Sequence, residues 1–265
     1  MSLELQYQNS KNLEARIAIF KYAKVEGSFW ESVAQCYPWK LASKVLELGC
    51  GTGDFWVEAS KYIPPNSELL LTDFSDGMLA KAKEKLSHMP VKISFEKADA
   101  NNLIYPAQAF DVVISHFMLY HINSPENLID KVRGLLKPGA WFGVVLPVRT
   151  DKFASYLELA FEIRPELKQA FLDTSVAKFL AQDFEVIAKK KFSKVDVRQL
   201  PGSEIVIPDI EPIVAAVKSF PVFQSSDLEE FFREYRDRLA KIILSKGAVR
   251  DTLPGTSVFV CHNAV

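Results

Sequence analysis

Between Lys44 and Leu146, short apolar runs alternate with longer segments in which apolar residues recur at helical spacing. The runs are predicted strands: Lys44–Leu48, Glu68–Thr72, Val91–Lys97, Phe110–Ser115 and Trp141–Leu146. Two of the intervening helices are predicted at 75–86 and 124–133, because each segment begins with a serine that can cap a helix. Regular alternation of this kind is typical of βαβ units, so we expect an α/β protein with a parallel sheet.

The chain of 265 residues is long enough for one α/β domain with additions at both ends. We predict a single domain over residues 1–265, with an N-terminal helical cover at 1–43, a core at 44–146 and C-terminal additions at 147–265. Two short helices are predicted in the cover, at 12–37. The additions are predicted to comprise a helical segment interrupted at Pro165, a strand, a long helix and a last strand, in this order: Thr150–Leu172, Phe192–Arg198, Ser226–Ser245 and Ser257–Cys261.

The charge balance argues against a protein that holds nucleic acid through a strongly basic surface. Lys and Arg number 32 against 33 Asp and Glu, which gives a net charge of −1, and the lysine run at 189–191 is interpreted as a solvated face. Three scattered cysteines indicate neither a disulfide framework nor a metal site. No apolar run approaches the roughly 18 residues that cross a bilayer. We therefore expect a cytoplasmic protein that binds a small-molecule partner and binds no nucleic acid, no membrane and no metal. The sequence does not indicate its oligomeric state.

A glycine-rich loop follows the first predicted strand. Gly49, Gly51 and Gly53 alternate in a G-x-G-x-G pattern, in which the third glycine comes one residue earlier than in the dinucleotide fingerprint G-x-G-x-x-G. Such a turn lets backbone approach a ligand closely. Glu47, at the end of the strand, would oppose a pyrophosphate but favour an ammonium or sulfonium group.

Two further carboxylates follow the next two predicted strands. Asp73 lies twenty residues beyond Gly53, where a carboxylate can accept hydrogen bonds from both hydroxyls of a ribose. Asp99 follows the third strand and could accept a hydrogen bond from the amino group of an adenine. Each could instead be a helix cap or a turn former. Three carboxylates around a loop without Lys or Arg favour a ligand with cationic groups.

These residues together resemble the class I S-adenosylmethionine-dependent methyltransferases that act on small molecules. The blocks that carry the resemblance occur in order at Val45–Gly53, Leu71–Leu79, Ala98–Ala100, Phe110–Ser115 and Leu135–Gly139. The resemblance implies a Rossmann-like fold: a seven-stranded, mostly parallel sheet with an antiparallel last strand, helices on both faces and extra helices at both ends. It also implies S-adenosyl-L-methionine as the cofactor, held at the carboxyl ends of the first strands.

The resemblance assigns cofactor-binding roles to positions of this chain. The methionine portion would be lined by the strand end and the loop, namely Glu47, Gly49, Cys50, Gly51 and Gly53. Asp73 would hold the ribose, and the adenine would be flanked by Phe74 and Met78. The adenine edge would face Asp99, Ala100 and Asn101. Ser115 and His116, at the end of the fourth strand, would border both cofactor and acceptor.

The reaction implied is methyl transfer to a small-molecule acceptor, with a carboxylate or hydroxyl as the suggested acceptor group because the C-terminal layout weakly resembles that of trans-aconitate methyltransferases. His121 and Tyr120 are the candidate catalytic residues, although each could be a packed polar residue instead. Three other functions stay open: a binding protein of the same fold without catalysis, a nicotinamide-dependent oxidoreductase, and methylation of RNA. Glycine spacing disfavours the oxidoreductase.

Overall fold

The structure is a computed structural model that describes residues 11–24, 27–39, 43–150, 153–173 and 178–264. The chain forms two compact units. The sheet unit comprises Gly27–Val148, Phe179–Leu200 and Thr256–Val265. The helical unit comprises Met1–Glu26, Arg149–Lys178 and Pro201–Gly255. Each unit is thus built from stretches that are distant in sequence. The single domain with a cover at 1–43, a core at 44–146 and additions at 147–265 stays a prediction.

Nine strands are present among the described residues. They are β1 (Lys44–Leu48), β2 (Glu68–Asp73), β3 (Lys92–Lys97), β4 (Phe110–His116), β5 (Leu136–Pro147), β6 (Lys194–Leu200), β7 (Glu204–Ile207), β8 (Val249–Thr252) and β9 (Thr256–His262). The sheet unit contains a seven-stranded sheet in the order β3-β2-β1-β4-β5-β9-β6. Strands β1 to β5 pair in parallel, whereas β9 runs antiparallel to both β5 and β6. This topology confirms the predicted fold class.

Ten α-helices lie in the described part of the chain. They are α1 (Lys11–Ile17), α2 (Phe29–Cys36), α3 (Asp54–Ala59), α4 (Asp76–Lys85), α5 (Pro125–Leu135), α6 (Ser155–Ile163), α7 (Glu166–Leu172), α8 (Ala181–Lys191), α9 (Ile210–Lys218) and α10 (Glu229–Lys246). Short 3₁₀ helices occur at Ala18–Tyr22, Ala100–Asn102, Leu119–His121, Pro221–Phe223 and Ser226–Leu228. The predicted helices before the core, the interruption at Pro165 and the long helix are all present.

The large sheet is buried on both faces, which explains why its central strands are almost continuously apolar. In β1, Val45 belongs to the core formed with helices α2, α3 and α4, whereas Leu46 belongs to the core formed with α5 and α8. Since successive side chains of a strand point to opposite faces, Glu47 lies on the same face as Val45. From β1 the chain continues to β2 and β3, which lie on one side of β1 in the sheet, and then to β4, which lies on the other side. The carboxyl ends of β1 and β4 are therefore neighbours at a topological switch point.

The helical unit has a separate aromatic core. Tyr235 of α10 is fully buried there and donates a hydrogen bond to the carbonyl oxygen of Tyr156 in α6, at 2.7 Å. The strands β7 and β8 pair antiparallel and form a second, two-stranded sheet. This small sheet was not predicted, because 41 residues separate two four-residue strands and no turn signal links them.

The segment Lys137-Pro-Gly139 lies in an irregular part of β5. This strand begins at Leu136, five residues before the predicted fifth strand, and contains the segment. The pairing of β4 with β5 shifts register between Phe110 and Val112, so an irregularity in the ladder accommodates the proline and the glycine. Gly139 has φ +72°, a left-handed conformation that a glycine adopts without steric cost.

Candidate functional site

The glycine loop joins β1 to α3 in a conformation that requires glycine. Gly49, Gly51 and Gly53 have φ values of +76°, +55° and +78°. The amides of Gly49 and Cys50 both donate to the carbonyl oxygen of Thr72, at 2.9 and 2.8 Å, and so tie the loop to β2. A Cβ on Gly49 would lie 2.6 Å from Cγ of Met118. The loop therefore needs glycine at this position for both backbone conformation and space.

Asp73 lies at the end of β2, as predicted, and the structure shows that its side chain contacts the glycine loop. Its Oδ2 accepts a hydrogen bond from the amide of Gly51 and its Oδ1 one from the amide of Ser75, both at 2.9 Å. Burial raises the pKa of Asp73 more than these backbone hydrogen bonds lower it, and the charge of Glu47 adds to the rise. Of the predicted adenine contacts that follow, Phe74 is 39% exposed whereas Met78 is 2% exposed. Of these two side chains, only that of Phe74 therefore offers exposed surface to an adenine.

Asp99 caps a short 3₁₀ helix, which was its alternative interpretation. Its carboxylate accepts hydrogen bonds from the amide and the Nδ2 of Asn101, at 2.9 and 2.8 Å, and from Nδ2 of Asn102 at 2.9 Å. Burial alone would raise the pKa of Asp99, but these three hydrogen bonds outweigh it and lower the pKa. Asn101 is exposed and Ala100 half-buried. The contact of these three residues with an adenine edge stays a prediction.

Glu47 is almost fully buried, with 2% of its surface exposed, and its carboxylate is engaged by protein groups. Oε2 accepts a hydrogen bond from Nε1 of Trp56 in α3. Oε1 lies 3.2 Å from Nδ1 of His116, at the end of β4. The predicted contact of Glu47 with a methionine portion stays a prediction, and the structure adds two partners that sequence reasoning missed.

His116 is surrounded by aromatic rings and hydrogen-bonded to a tyrosine. Its Nε2 lies 2.7 Å from the hydroxyl of Tyr37, which follows α2, and the two rings are stacked with an interplanar angle of 5°. The rings of Phe55 and Trp30 have centroids 4.4 and 5.4 Å from that of the imidazole. Tyr37 itself packs against Gly143 of β5, where an added Cβ would lie 2.9 Å from the phenol ring.

Ser115 lies beside His116 in β4 but points to the opposite face of the sheet. Its Oγ is fully buried and has no hydrogen-bond partner among the residues that the structure describes. A buried hydroxyl without a partner costs free energy, on the order of 1–3 kcal/mol. A ligand that supplied the missing bond would recover it, so Ser115 is a candidate ligand contact.

The residues after β4 include a strained position and the two predicted catalytic side chains. Phe117 has φ +50°, which is uncommon for a bulky residue and frequent near functional sites. Its ring stacks on that of Phe29 at 6.0 Å. Tyr120 and His121 lie in the following 3₁₀ helix, half-buried, with ring centroids 4.5 Å apart. Their catalytic role stays a prediction.

Cys50 lies in the glycine loop, and its predicted contact with the methionine portion stays a prediction. Its thiol is buried, and burial raises the pKa of Cys50 far above its ordinary value, with further contributions from the charges of Glu47 and Asp73. A thiol that remains protonated is a poor nucleophile and a poor metal ligand. Within the described ranges, no group of three or more His, Cys, Asp or Glu side chains could hold a metal ion.

The lysine run near position 190 is paired with carboxylates. Lys189 lies 2.6 Å from Glu185, and Lys191 lies 3.2 Å from Glu126 and 2.7 Å from Asp130. This pairing supports the interpretation of the run as a solvated face. Over the part of the chain that the structure covers, no helix has both the length and the apolar character needed to cross a membrane.

Comparison with known proteins agrees with this geometry. A family model described as a methyltransferase domain matches residues 45–139, which contain β1 except its first residue, the glycine loop, Asp73 and Asp99. The chain is 30% identical over 149 residues to the ubiquinone/menaquinone biosynthesis C-methyltransferase UbiE of Pasteurella multocida. These matches support a class I S-adenosylmethionine-dependent methyltransferase. The match with that relative covers 54% of this chain and 56% of the relative, so the chain spans about half the length of the curated relatives it matches.

Solved structures share the fold across most of the chain. The YcgJ protein of Bacillus subtilis has a TM-score of 0.59 and 15% identity, with 89% of this chain and 98% of that chain covered. Phosphoethanolamine N-methyltransferase 2 of Haemonchus contortus, in complex with S-adenosyl-L-methionine, has a TM-score of 0.58 and 16% identity, with 99% and 59% covered. At these identities the likeness shows the methyltransferase fold alone.

Proposed function

We propose that this chain transfers a methyl group from S-adenosyl-L-methionine to a small-molecule acceptor. The observation that carries the proposal is the placement of Asp73 on the glycine loop, where Oδ2 is 2.9 Å from the amide of Gly51. A carboxylate at this edge of the sheet can accept the hydroxyls of a ribose, and the glycines let backbone approach the rest of a nucleoside. When bound, the cofactor supplies a methyl group on a positively charged sulfur.

The residues at the ends of β1, β2 and β4 fit this cofactor in space and in charge. The glycines expose backbone in left-handed conformations, with φ +76°, +55° and +78° at Gly49, Gly51 and Gly53, and the Oγ of Ser115 is a buried polar atom that needs a partner. The loop contains no Lys or Arg for a phosphate, and Glu47 and Asp73 supply negative charge for a cationic ligand. These features support S-adenosylmethionine over a nicotinamide dinucleotide.

Several predicted site residues have a defined part in the proposal. Gly49, Cys50 and Gly51 would offer backbone to the methionine portion, and Asp73 would hold the ribose. The adenine would lie between the loop of Asp99 and the exposed ring of Phe74. Alignment of acceptor and donor, with exclusion of water, would provide most of the rate, because effective molarities of oriented groups are high.

The acceptor is proposed to be a small molecule with a carboxylate or hydroxyl group. If its proton must leave, His121 is the proposed base with Tyr120 beside it, and such proton transfer contributes roughly 10²–10⁴-fold. An aromatic carbon acceptor is the second candidate. It is supported by the half-buried rings of Phe29, Trp30 and Phe117 near the end of β4, and by relatives that are named C-methyltransferases.

The proposal is tested by transfer of an isotopically labelled methyl group from S-adenosylmethionine. The acceptor panel should contain carboxylic acids, phenols, amines and hydroquinones, with products identified by mass spectrometry. We expect label in at least one class and release of S-adenosylhomocysteine in equal amount. Tight binding of S-adenosylmethionine with no label in any class would instead favour a binding protein of the same fold.

A further inference from the structure

A side-chain hydrogen bond joins the two ends of the glycine loop. Glu47 lies two residues before Gly49, and Trp56 lies three residues after Gly53, in the first turn of α3. Nε1 of Trp56 donates to Oε2 of Glu47. The indole is fully buried and the glutamate is 2% exposed, so water does not compete for this bond. The bond therefore encloses the three left-handed glycines of the loop between its two partners.

The two halves of the loop are attached to the sheet in different ways. Backbone hydrogen bonds hold the first half to β2, because the amides of Gly49 and Cys50 share the carbonyl oxygen of Thr72. The second half continues into α3, and the indole of Trp56 links the first turn of that helix to the end of β1. Loss of the indole bond would release this link and leave the attachment to β2 in place.

The indole supplies a hydrogen bond that the buried carboxylate of Glu47 needs. A buried carboxylate costs free energy unless it accepts hydrogen bonds. The imidazole of His116 lies within ion-pair distance, with Nδ1 3.2 Å from Oε1, but it is not aligned for a hydrogen bond. Among the described residues, Trp56 is therefore the one that hydrogen-bonds this carboxylate. Its removal would leave the carboxylate without a donor that fixes its orientation.

Aromatic packing fixes the orientation of the indole itself. The rings of Phe55 and Trp39 contact it edge-on, with centroids 5.0 and 6.4 Å away. Trp56 therefore has little freedom to lose when a ligand binds, and the carboxylate that it holds is oriented in advance. Binding is tighter when a site is ordered before its ligand arrives.

We propose that Trp56 is a positioning residue for the cofactor: its hydrogen bond to Glu47 keeps the glycine loop in the conformation that accepts S-adenosylmethionine. The inference rests on the proposed function. With the bond in place, the backbone of Gly49 and Gly51 already has its binding conformation, and the charge of Glu47 stays beside the loop. Without it, the ligand must order the loop and the first turn of α3, which lowers the affinity for S-adenosylmethionine and S-adenosylhomocysteine alike.

The first test is Trp56→Phe, which keeps a buried ring and removes the donor. We expect calorimetry to show both ligands bound at least about tenfold more weakly, as for the loss of one hydrogen bond to a charged group. Trp39→Phe is the matched control. Nε1 of Trp39 donates to the carbonyl oxygen of Ala34 at 3.0 Å, in the same core but outside the loop, so affinity should change less than about twofold.

A double-mutant cycle shows whether Trp56 acts through Glu47. Glu47→Leu replaces the carboxylate with an apolar side chain of similar size and should itself weaken binding at least about tenfold. In that background, Trp56→Phe should change affinity less than about twofold, because the donor has no acceptor left. Equal losses in both backgrounds would mean that Trp56 contributes through its shape alone, which would overturn the inference.

Stability provides a readout that distinguishes positioning from a purely structural role. Trp56→Phe leaves a buried carboxylate without its donor, so urea unfolding should show a less stable protein. Adding Glu47→Leu removes the unpaired group as well and should restore much of that stability, while cofactor affinity stays low. If affinity instead recovers together with stability, Trp56 only supports the fold and the inference is wrong.

The unaltered protein provides a test that does not require any variant to fold. The indole N–H signals of Trp56 and Trp39 can be followed in ¹H–¹⁵N spectra during titration with S-adenosylmethionine. We expect the Trp56 signal to move on saturation and the Trp39 signal to stay in place. A Trp56 signal that does not respond while the ligand binds would contradict the inference alone. If neither S-adenosylmethionine nor S-adenosylhomocysteine binds, the proposed function is wrong and the inference fails with it.

Discussion

Asp73→Ala is expected to weaken the binding of S-adenosylmethionine at least about thirtyfold, because each hydrogen bond to a charged acceptor contributes roughly 1.5–3 kcal/mol. The substitution removes the proposed ribose acceptor and also the partner of the amides of Gly51 and Ser75. Calorimetric titration measures the loss. Binding of S-adenosylhomocysteine should weaken to a similar extent, since the same ribose is present in both ligands.

Asp76→Ala is the matched control for this substitution. Asp76 begins α4 three residues beyond Asp73, is exposed, and pairs with Lys97 at 2.6 Å on the surface. Exposed ion pairs contribute little, typically below about 1 kcal/mol. Its removal should change cofactor affinity less than about twofold. Unaltered affinity in Asp73→Ala, with the fold intact by circular dichroism, would remove Asp73 from the site.

Gly49→Ala is expected to destabilise the protein by about 3 kcal/mol, which combines left-handed backbone strain with overpacking. The new Cβ would lie 2.6 Å from Cγ of Met118 and 3.1 Å from its Cβ. Both atoms are close to the backbone of Met118, so rotation of the methionine side chain relieves little. Urea unfolding measures the free energy, and calorimetry should show cofactor binding reduced below detection in the variant that remains folded.

Gly139→Ala separates the two causes. Gly139 also has a left-handed backbone, with φ +72°, but an added Cβ there would meet no atom within 4 Å. It should therefore cost only the strain, about 1 kcal/mol, and leave cofactor binding unchanged. Equal destabilisation by the two substitutions would mean that the contact with Met118 is not what makes glycine necessary at position 49.

The core of the fold could be predicted because its signals are local. The strand β1, the glycine loop and Asp73 follow one another within thirty residues, and each is indicated by residue type and spacing alone. The same holds for the serine cap of α4, whose side chain accepts a hydrogen bond from the amide of Met78. Local pattern also indicated a parallel sheet, since alternating strands and helices form βαβ units.

The contacts around His116 could not be predicted in the same way. Tyr37 and His116 are 79 residues apart, and Trp56 is brought to Glu47 by the packing of α3 on the sheet. Sequence reasoning placed α2 over the core as a cover, but no motif marks Tyr37. The one signal available was that buried polar side chains need hydrogen-bond partners. Glu47 and His116, predicted at the ends of neighbouring strands, would each require such a partner.

Asp99 shows how a correct location can leave a role undecided. The sequence placed it after β3, and the structure does so too, but its carboxylate is occupied by Asn101 and Asn102. An Asx-type cap and a ligand acceptor use the same oxygens. A residue type and its position therefore cannot distinguish them.

Direct titration with S-adenosyl-L-methionine tests the central claim most simply. We expect calorimetry on the unaltered protein to show one site per chain for S-adenosylmethionine and for S-adenosylhomocysteine, and no heat with reduced nicotinamide adenine dinucleotide. Binding of the nicotinamide dinucleotide in place of both sulfur nucleosides would contradict the account, because it would mean that the loop of Gly49, Gly51 and Gly53 accepts a pyrophosphate despite the carboxylate of Glu47.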